Sequence, residues 1–178
     1  MIIIPGWLIS LLTFPGVIVH EAAHFLFCRL LGVAVFDVCY FRVGNPAGYV
    51  IHEPTASFNK TFLISVGPFI VNSLLCILLC FPAFVPVRVF ESKDAFSYLL
   101  IYLGVTIGMH AFPSTHDAQN LWRGAIAAAK GLNPLAVLSF PLVILIYIAN
   151  ALSFFWFDVF YGLGLGLGLP EIIFKRVF

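Results

Sequence analysis

His20-Glu21-Ala22-Ala23-His24 is an H-E-x-x-H run inside one of the most apolar stretches of the chain, "TFPGVIVHEAAHFLFC", residues 13–28. An ionised glutamate is costly there, and a histidine in apolar surroundings needs a hydrogen-bond partner. On a helix, residues four apart share one face, so both imidazoles can reach a single metal ion. Glu21 leaves the helix on an adjoining part of the surface, where it can act on water as a general base. A cation then satisfies polar groups that lipid would not. The competing explanation is two buried histidines bonded to backbone or to Glu21, and desolvation in a membrane span weighs against it.

A catalytic zinc site takes a third protein ligand and keeps one position open. His52, Glu53, His110, His116 and Asp117 are the candidates. If the first span ends on side A of a membrane, the second returns to side B and the third ends on A. Residues 110–117 then meet the histidine motif at one depth, and the segment carrying His52 and Glu53 lies on the same side.

The elements that must position these groups follow from composition. The 178 residues are 62% hydrophobic and only 10% charged, and the mean hydropathy is +1.07. Soluble domains run near about 45–50% apolar and about 25% charged. The chain reads as one integral, multi-pass membrane domain over 1–178, an all-α bundle of about four transmembrane helices with a small membrane-associated β-hairpin. The lipid bilayer is its surroundings. With nine Lys+Arg against eight Asp+Glu and no basic run, a nucleic-acid partner has no support. The four cysteines form no CxxC pair, and Cys76 and Cys80 read as small apolar residues on one helix. The N-terminus lacks a basic region before its apolar stretch, so it reads as retained.

The first span covers about 2–32, interrupted at Pro5-Gly6 and Pro15-Gly16, where it splits if Pro15 breaks it; helix over 17–31 ends at Gly32. Residues 33–53 are rich in Val, Phe and Tyr around a Gly44-Asn-Pro-Ala-Gly48 turn, the pattern of a hairpin with strands near 35–43 and 48–53. A sheet edge cannot face lipid, so this hairpin belongs at the interface or in a protein-lined cavity. Further spans read near 59–81, 95–112 and 134–157, with a polar loop over 82–94 and a short amphipathic helix in 113–133. Glycines 162, 164, 166 and 168 alternate with leucine without the spacing of a phosphate loop; close helix packing or a bent interfacial tail accounts for them. Side A carries Arg29, Arg42, Lys60, Arg123 and Lys130 and side B carries Arg88, Lys93, Lys175 and Arg176, so the positive-inside rule leans toward a site nearer the cytoplasm.

Three motifs in order, His20–His24, Gly67-Pro68 with Asn72, and Pro113-Ser-Thr-His-Asp117, each fall on or next to a predicted span. In this the chain resembles the site-2 protease family, the intramembrane zinc metalloproteases, over roughly residues 15–123 and without a PDZ-like insertion. The resemblance implies that His20, His24 and Asp117 bind one zinc ion, that Glu21 activates water, and that the substrate is a membrane-embedded protein or peptide. His116, directly before Asp117, is the alternative ligand, since the family has Gly where Ala118 stands. Asn72 suggests a contact to substrate backbone or to the oxyanion, with helix packing as its competing role. Three residues rather than the family's two separate it from Pro68, turning it by about 100° on a helix. A helical substrate must unwind before attack, and the free edge of the hairpin offers strand addition to hold it extended; a plain re-entrant cap is the other reading of the hairpin. The rival functions are a catalytically silent zinc-binding membrane protein serving as a partner-binding module, and a small transporter component. An intact Glu21 argues against the first, and the lack of inverted repeats against the second.

Overall fold

The computed structural model describes residues 6–92 and 94–177. Its helices are α1 (Gly6–Leu12), α2 (Phe14–Leu30), α3 (Phe58–Phe84), α4 (Ala95–Met109), α5 (Thr115–Ala129), α6 (Pro134–Leu152), α7 (Phe157–Leu163) and α8 (Leu169–Val177), and strands β1 (Val35–Cys39) and β2 (Tyr49–His52) form an antiparallel hairpin between α2 and α3. A mostly helical bundle with one small sheet is the predicted architecture.

Its surface is strongly apolar. Leu78 is 65% exposed, Leu138 74% and Phe160 68%, while Asn72, Ser65, Thr106 and Ser139 are buried. Large apolar side chains outside and small or polar ones inside are what bundles adopt when lipid replaces water. Three helical stretches, Phe58–Val89, Pro134–Phe155 and Phe157–Arg176, are long and apolar enough to cross a membrane, and α1 with α2 makes up to four if that bent pair is one span.

Several boundaries differ from the sequence reading. The first segment does split, but at Thr13, with an 86° bend between α1 and α2. Pro15 is no breaker, because in the first turn of α2 its missing N–H costs nothing. Residues 2–5 of the predicted span lie outside the described ones. The second span runs on through a wide π-type turn at Val85–Val89, into the region read as a polar loop. The third is shorter than predicted, since α4 stops at Met109. Asp94 caps its start, accepting from Phe96 N, Ser97 N and Ser97 Oγ, and the bonds from Ser97 hold its carboxyl below the usual range.

Of the two readings of the C-terminal tail, close helix packing is the one the structure shows, and it adds helix beyond the predicted spans. Trp156, at φ 64°, turns the chain from α6 into α7. The Gly-Leu alternation then separates by face. A Cβ on Gly162 would lie 2.7 Å from Val105 O, and one on Gly166 would lie 2.9 Å from Cys80 Sγ, while Gly164 and Gly168 meet nothing. Two glycines four apart let α7 and its extension lie close against α4 and α3, the packing device of membrane helices. Cys76 and Cys80 are fully buried in this contact, as expected of small apolar residues.

The amphipathic segment forms α5. Ala118, Leu121 and Ala125 lie on its buried stripe and join Phe58, Val66, Val143 and Ile146 in one core. Asn133 caps α6 and reaches Asn59 at 3.3 Å, so α5 and α6 pack as a hairpin against the start of α3.

Candidate metal centre

The site is built by α2, α3, the end of α4 and the start of α5. Pro68 lies inside α3, and a proline has no N–H for the carbonyl four residues earlier. That carbonyl is Ile64 O, and His24 Nδ1 donates to it at 2.9 Å. At the C-terminus of α4, carbonyls are left over as at any helix end. Of these, His110 O accepts from His20 Nδ1 at 2.7 Å and from Asn72 Nδ2 at 3.0 Å. Gly16 allows α2 to cross α4 closely enough for this, since a Cβ there would collide with Thr106 O.

Carbonyls only accept, so Nδ1 carries the hydrogen in both rings and both Nε2 lone pairs point inward. The two Nε2 atoms lie 3.2 Å apart, and His24 Nε2 lies 3.5 Å from Asp117 Oδ2. Ligand atoms of His20, His24 and Asp117 all fall within 4.8 Å of one another. Tetrahedral zinc with nitrogen and oxygen ligands spaces neighbouring ligand atoms by about 3.3 Å. Two facing lone pairs at that separation repel unless a cation lies between them, so these three residues suit such an ion.

Asp117 is held by a capping box at the start of α5. Its Oδ2 accepts from Ser114 N at 3.0 Å and Ser114 Oγ at 2.6 Å, and its own N–H donates to Ser114 Oγ. The sequence Pro-Ser-Thr-His-Asp thus reads locally as a helix start that also aims a carboxylate at His24. His116 also borders the cavity but is not in that converging group: its ring is exposed, and Nδ1 accepts from Asn120 Nδ2 at 3.2 Å. Of the other shortlisted ligands, His52 Nδ1 donates locally to Glu53 O, and His110 Nε2 lies 2.7 Å from Thr13 Oγ1, which itself donates to Ile9 O. His110 was shortlisted as a ligand; instead its ring ties down the α1–α2 bend while its carbonyl orients His20.

Asn72 lies outside the cavity lining. It is 0% exposed, and Nδ2 donates toward Gly16 O, Ile107 O and His110 O. This is the packing role, stapling α3 to α2 and α4, and it keeps the amide off any bound chain.

Glu21, His20, His24 and Asp117 line one cavity of about 760 Å³ together with residues 45–52 of the hairpin, Ser10, His110, Phe112 and the α6–α7 junction. The hairpin pairs Val35 with His52, Asp37 with Ile51, Val38 with Val50 and Cys39 with Tyr49, with a bulge at Phe36. Its strands are shorter than predicted because Gly44–Pro46 forms an irregular loop, closed by Arg42 N donating to Ala47 O at 2.7 Å. The turn lands on the acid: a Cβ on Gly48 would lie 2.6 Å from Glu21 Cγ. Gly48 lets the hairpin cover Glu21 without displacing it. Asn150, Ser153 and Asp158, which the sequence reading passed over, also line the cavity. Their signal was polarity inside an otherwise apolar span.

No protein-family model, curated protein or solved structure matches this chain.

Two results follow from these contacts. Restoring an N–H with Pro68→Ala gives Ile64 O its helical donor and takes it from His24 Nδ1. Lost outer-shell bonds cost about 10–100-fold in metal affinity, so any zinc held by these three residues should bind at least about tenfold more weakly, read by chelator competition, although alanine is the better helix former. Unchanged affinity would show that His24 needs no such orientation. Gly48→Ala should push Glu21 aside and lower by up to about a hundredfold any turnover in which Glu21 is the base, with metal content unchanged; full-rate turnover in that variant would mean that the turn does not constrain the acid.

Proposed function

We propose that this chain is an intramembrane zinc metalloprotease that hydrolyses peptide bonds of membrane-embedded protein substrates, with its site nearer the cytoplasmic face. The observation that carries this reading is the convergence of two Nδ1-anchored histidines and a carboxylate beside Glu21, in a cavity within a lipid-solvated bundle. His20, His24 and Asp117 would hold the zinc. When bound, the ion supplies Lewis acidity, which acidifies water and polarises a carbonyl oxygen. Glu21 takes a proton from the attacking water and delivers it to the amide nitrogen as the C–N bond breaks. The carbonyl carbon gains the water oxygen, so the products are a carboxylic acid and an amine.

A helical substrate hides its carbonyls in backbone hydrogen bonds and must be extended to react. Strand β2 lines the cavity from Tyr49 to His52, and its outer edge has no partner strand among the described residues. Pairing of that edge with an unwound substrate would supply the bonds that the helix gives up. Phe112 and Met109, also in the lining, give apolar surface for the flanking side chains.

The test is cleavage in lipid nanodiscs. With a set of single-span peptides, the wild type should release new N-termini detectable by mass spectrometry, and a zinc chelator should stop it. A folded, zinc-loaded protein that releases none would leave a metal-binding membrane protein without protease activity.

A further inference from the structure

The cavity wall at the α6–α7 junction takes no part in the hydrolysis just described, yet it is built from polar side chains. Asn150, near the end of α6, donates through Nδ2 to Pro113 O at 3.1 Å and to Ile146 O at 2.9 Å. Both amide hydrogens are engaged, so Oδ1 is what the side chain has left to offer. Ser153 Oγ donates to Ala149 O at 3.1 Å, and the Asp158 carboxylate is a second acceptor within its reach. Its single hydrogen is therefore used inside the protein, and outward it too presents lone pairs. Asp158 is a carboxylate and only accepts while ionised.

Charge points the same way. The cavity lining contains three carboxylates, Glu21, Asp117 and Asp158, and neither lysine nor arginine. A divalent ion held by His20, His24 and Asp117 would balance the first two. Asp158 is left over, half-buried, and among the described residues no lysine or arginine is within ion-pair distance of it. Its place in the first turn of α7 suits a carboxylate but gives it no counter-ion. A partly buried carboxylate with no cation beside it is costly to keep ionised, and a cationic partner arriving in the cavity would offset that cost. An amide oxygen, a hydroxyl oxygen and a carboxylate without a free donor among them complement a group that only donates. Among peptide side chains, the permanently cationic groups of that kind, which also answer the carboxylate's charge, are the lysine ammonium and the arginine guanidinium.

We propose that Asp158, with Asn150 Oδ1 and Ser153 Oγ, forms a subsite for a basic side chain of the substrate, so that the cavity selects a lysine or arginine close to the bond it cleaves. This rests on the reading of the cavity as a peptide site. Asp158 is a specificity residue here, with no part in the bond-breaking step.

The test reads binding rather than turnover. The full-length Glu21→Gln protein in detergent is titrated with a fluorescent alanine–leucine peptide containing one lysine, and with the same peptide carrying norleucine there. The lysine peptide should bind about tenfold or more tightly, the scale of a hydrogen-bonded charge pair. Adding Asp158→Asn should bring the two within about twofold, and Asp158→Glu should retain a preference. n-Butylammonium should displace the lysine peptide from the Glu21→Gln protein where 1-butanol does not, a readout that needs no change at Asp158. Equal binding of the two peptides, binding of neither, or a lysine preference that survives Asp158→Asn would overturn the subsite. Hydrolysis by the wild type is scored separately: a lysine preference without cleavage keeps the subsite and removes the protease.

Discussion

Asp117→Ala should lower bound zinc from about one ion per chain to almost none in detergent-purified protein, while His116→Ala leaves it in place. Two imidazoles alone form a weak site, and a third, charged ligand both completes the coordination and balances the ion. The carboxylate approaches His24 Nε2 at 3.5 Å, whereas the ring next to it in sequence bonds to Asn120 and is not in the converging group. Asp117 also closes the capping box of α5, so its loss has a structural cost besides. Ser114→Ala separates the two effects. It removes the cap hydroxyl at about 1 kcal/mol but leaves the carboxylate, and zinc should stay. The measurement is metal content by mass spectrometry on protein of verified fold. Zinc kept by Asp117→Ala and lost by His116→Ala would reverse the assignment of the third ligand.

Glu21→Gln should abolish cleavage and retain zinc. The substitution keeps the shape under Gly48 and removes the basic oxygen, and loss of a positioned general base costs about 10²–10⁴-fold in rate. Glu21 is not among the three residues whose ligand atoms converge, so the metal content should match that of the wild type. The pair of readouts matters. Loss of cleavage together with zinc would make Glu21 a ligand, and undiminished cleavage would remove it from the chemistry. A silent zinc-binding module predicts no difference between the two proteins in any turnover assay.

The local patterns were legible because they depend on neighbours in sequence. His20 and His24 are four apart on a helix, so a shared face follows from helical geometry. Gly32, at φ 63°, ends the α2 region as a glycine in that position does. The hairpin followed from its β-branched and aromatic run around the Gly44–Gly48 turn, and its register is what pairing across that loop permits. The span boundaries were less readable. Hydropathy measures average polarity and does not register a break such as the one at Thr13, where a threonine, a carbonyl from Ile9 and a histidine ring nearly a hundred residues away fix the bend. The glycine alternation was ambiguous for a similar reason: only the packing of Gly162 and Gly166 on α4 and α3 separates a packed helix from a bent tail.

By itself, then, the sequence determined that this is a strongly apolar helical bundle with one hairpin, and that His20 and His24 share one helix face with Glu21 beside it. It reduced the third ligand to a short list. Tertiary structure decided which of these residues converge, because that depends on which lone pairs meet in space. Pro68 frees Ile64 O for His24, the frayed end of α4 supplies His110 O for His20, and the capping box aims Asp117 rather than His116. The same folding drew Asn72 out of the site and into a staple, and carried Asp158 into the cavity from a segment far along the chain. Such groups are brought together only when the bundle closes, and nothing in their local sequence records the partner each will meet.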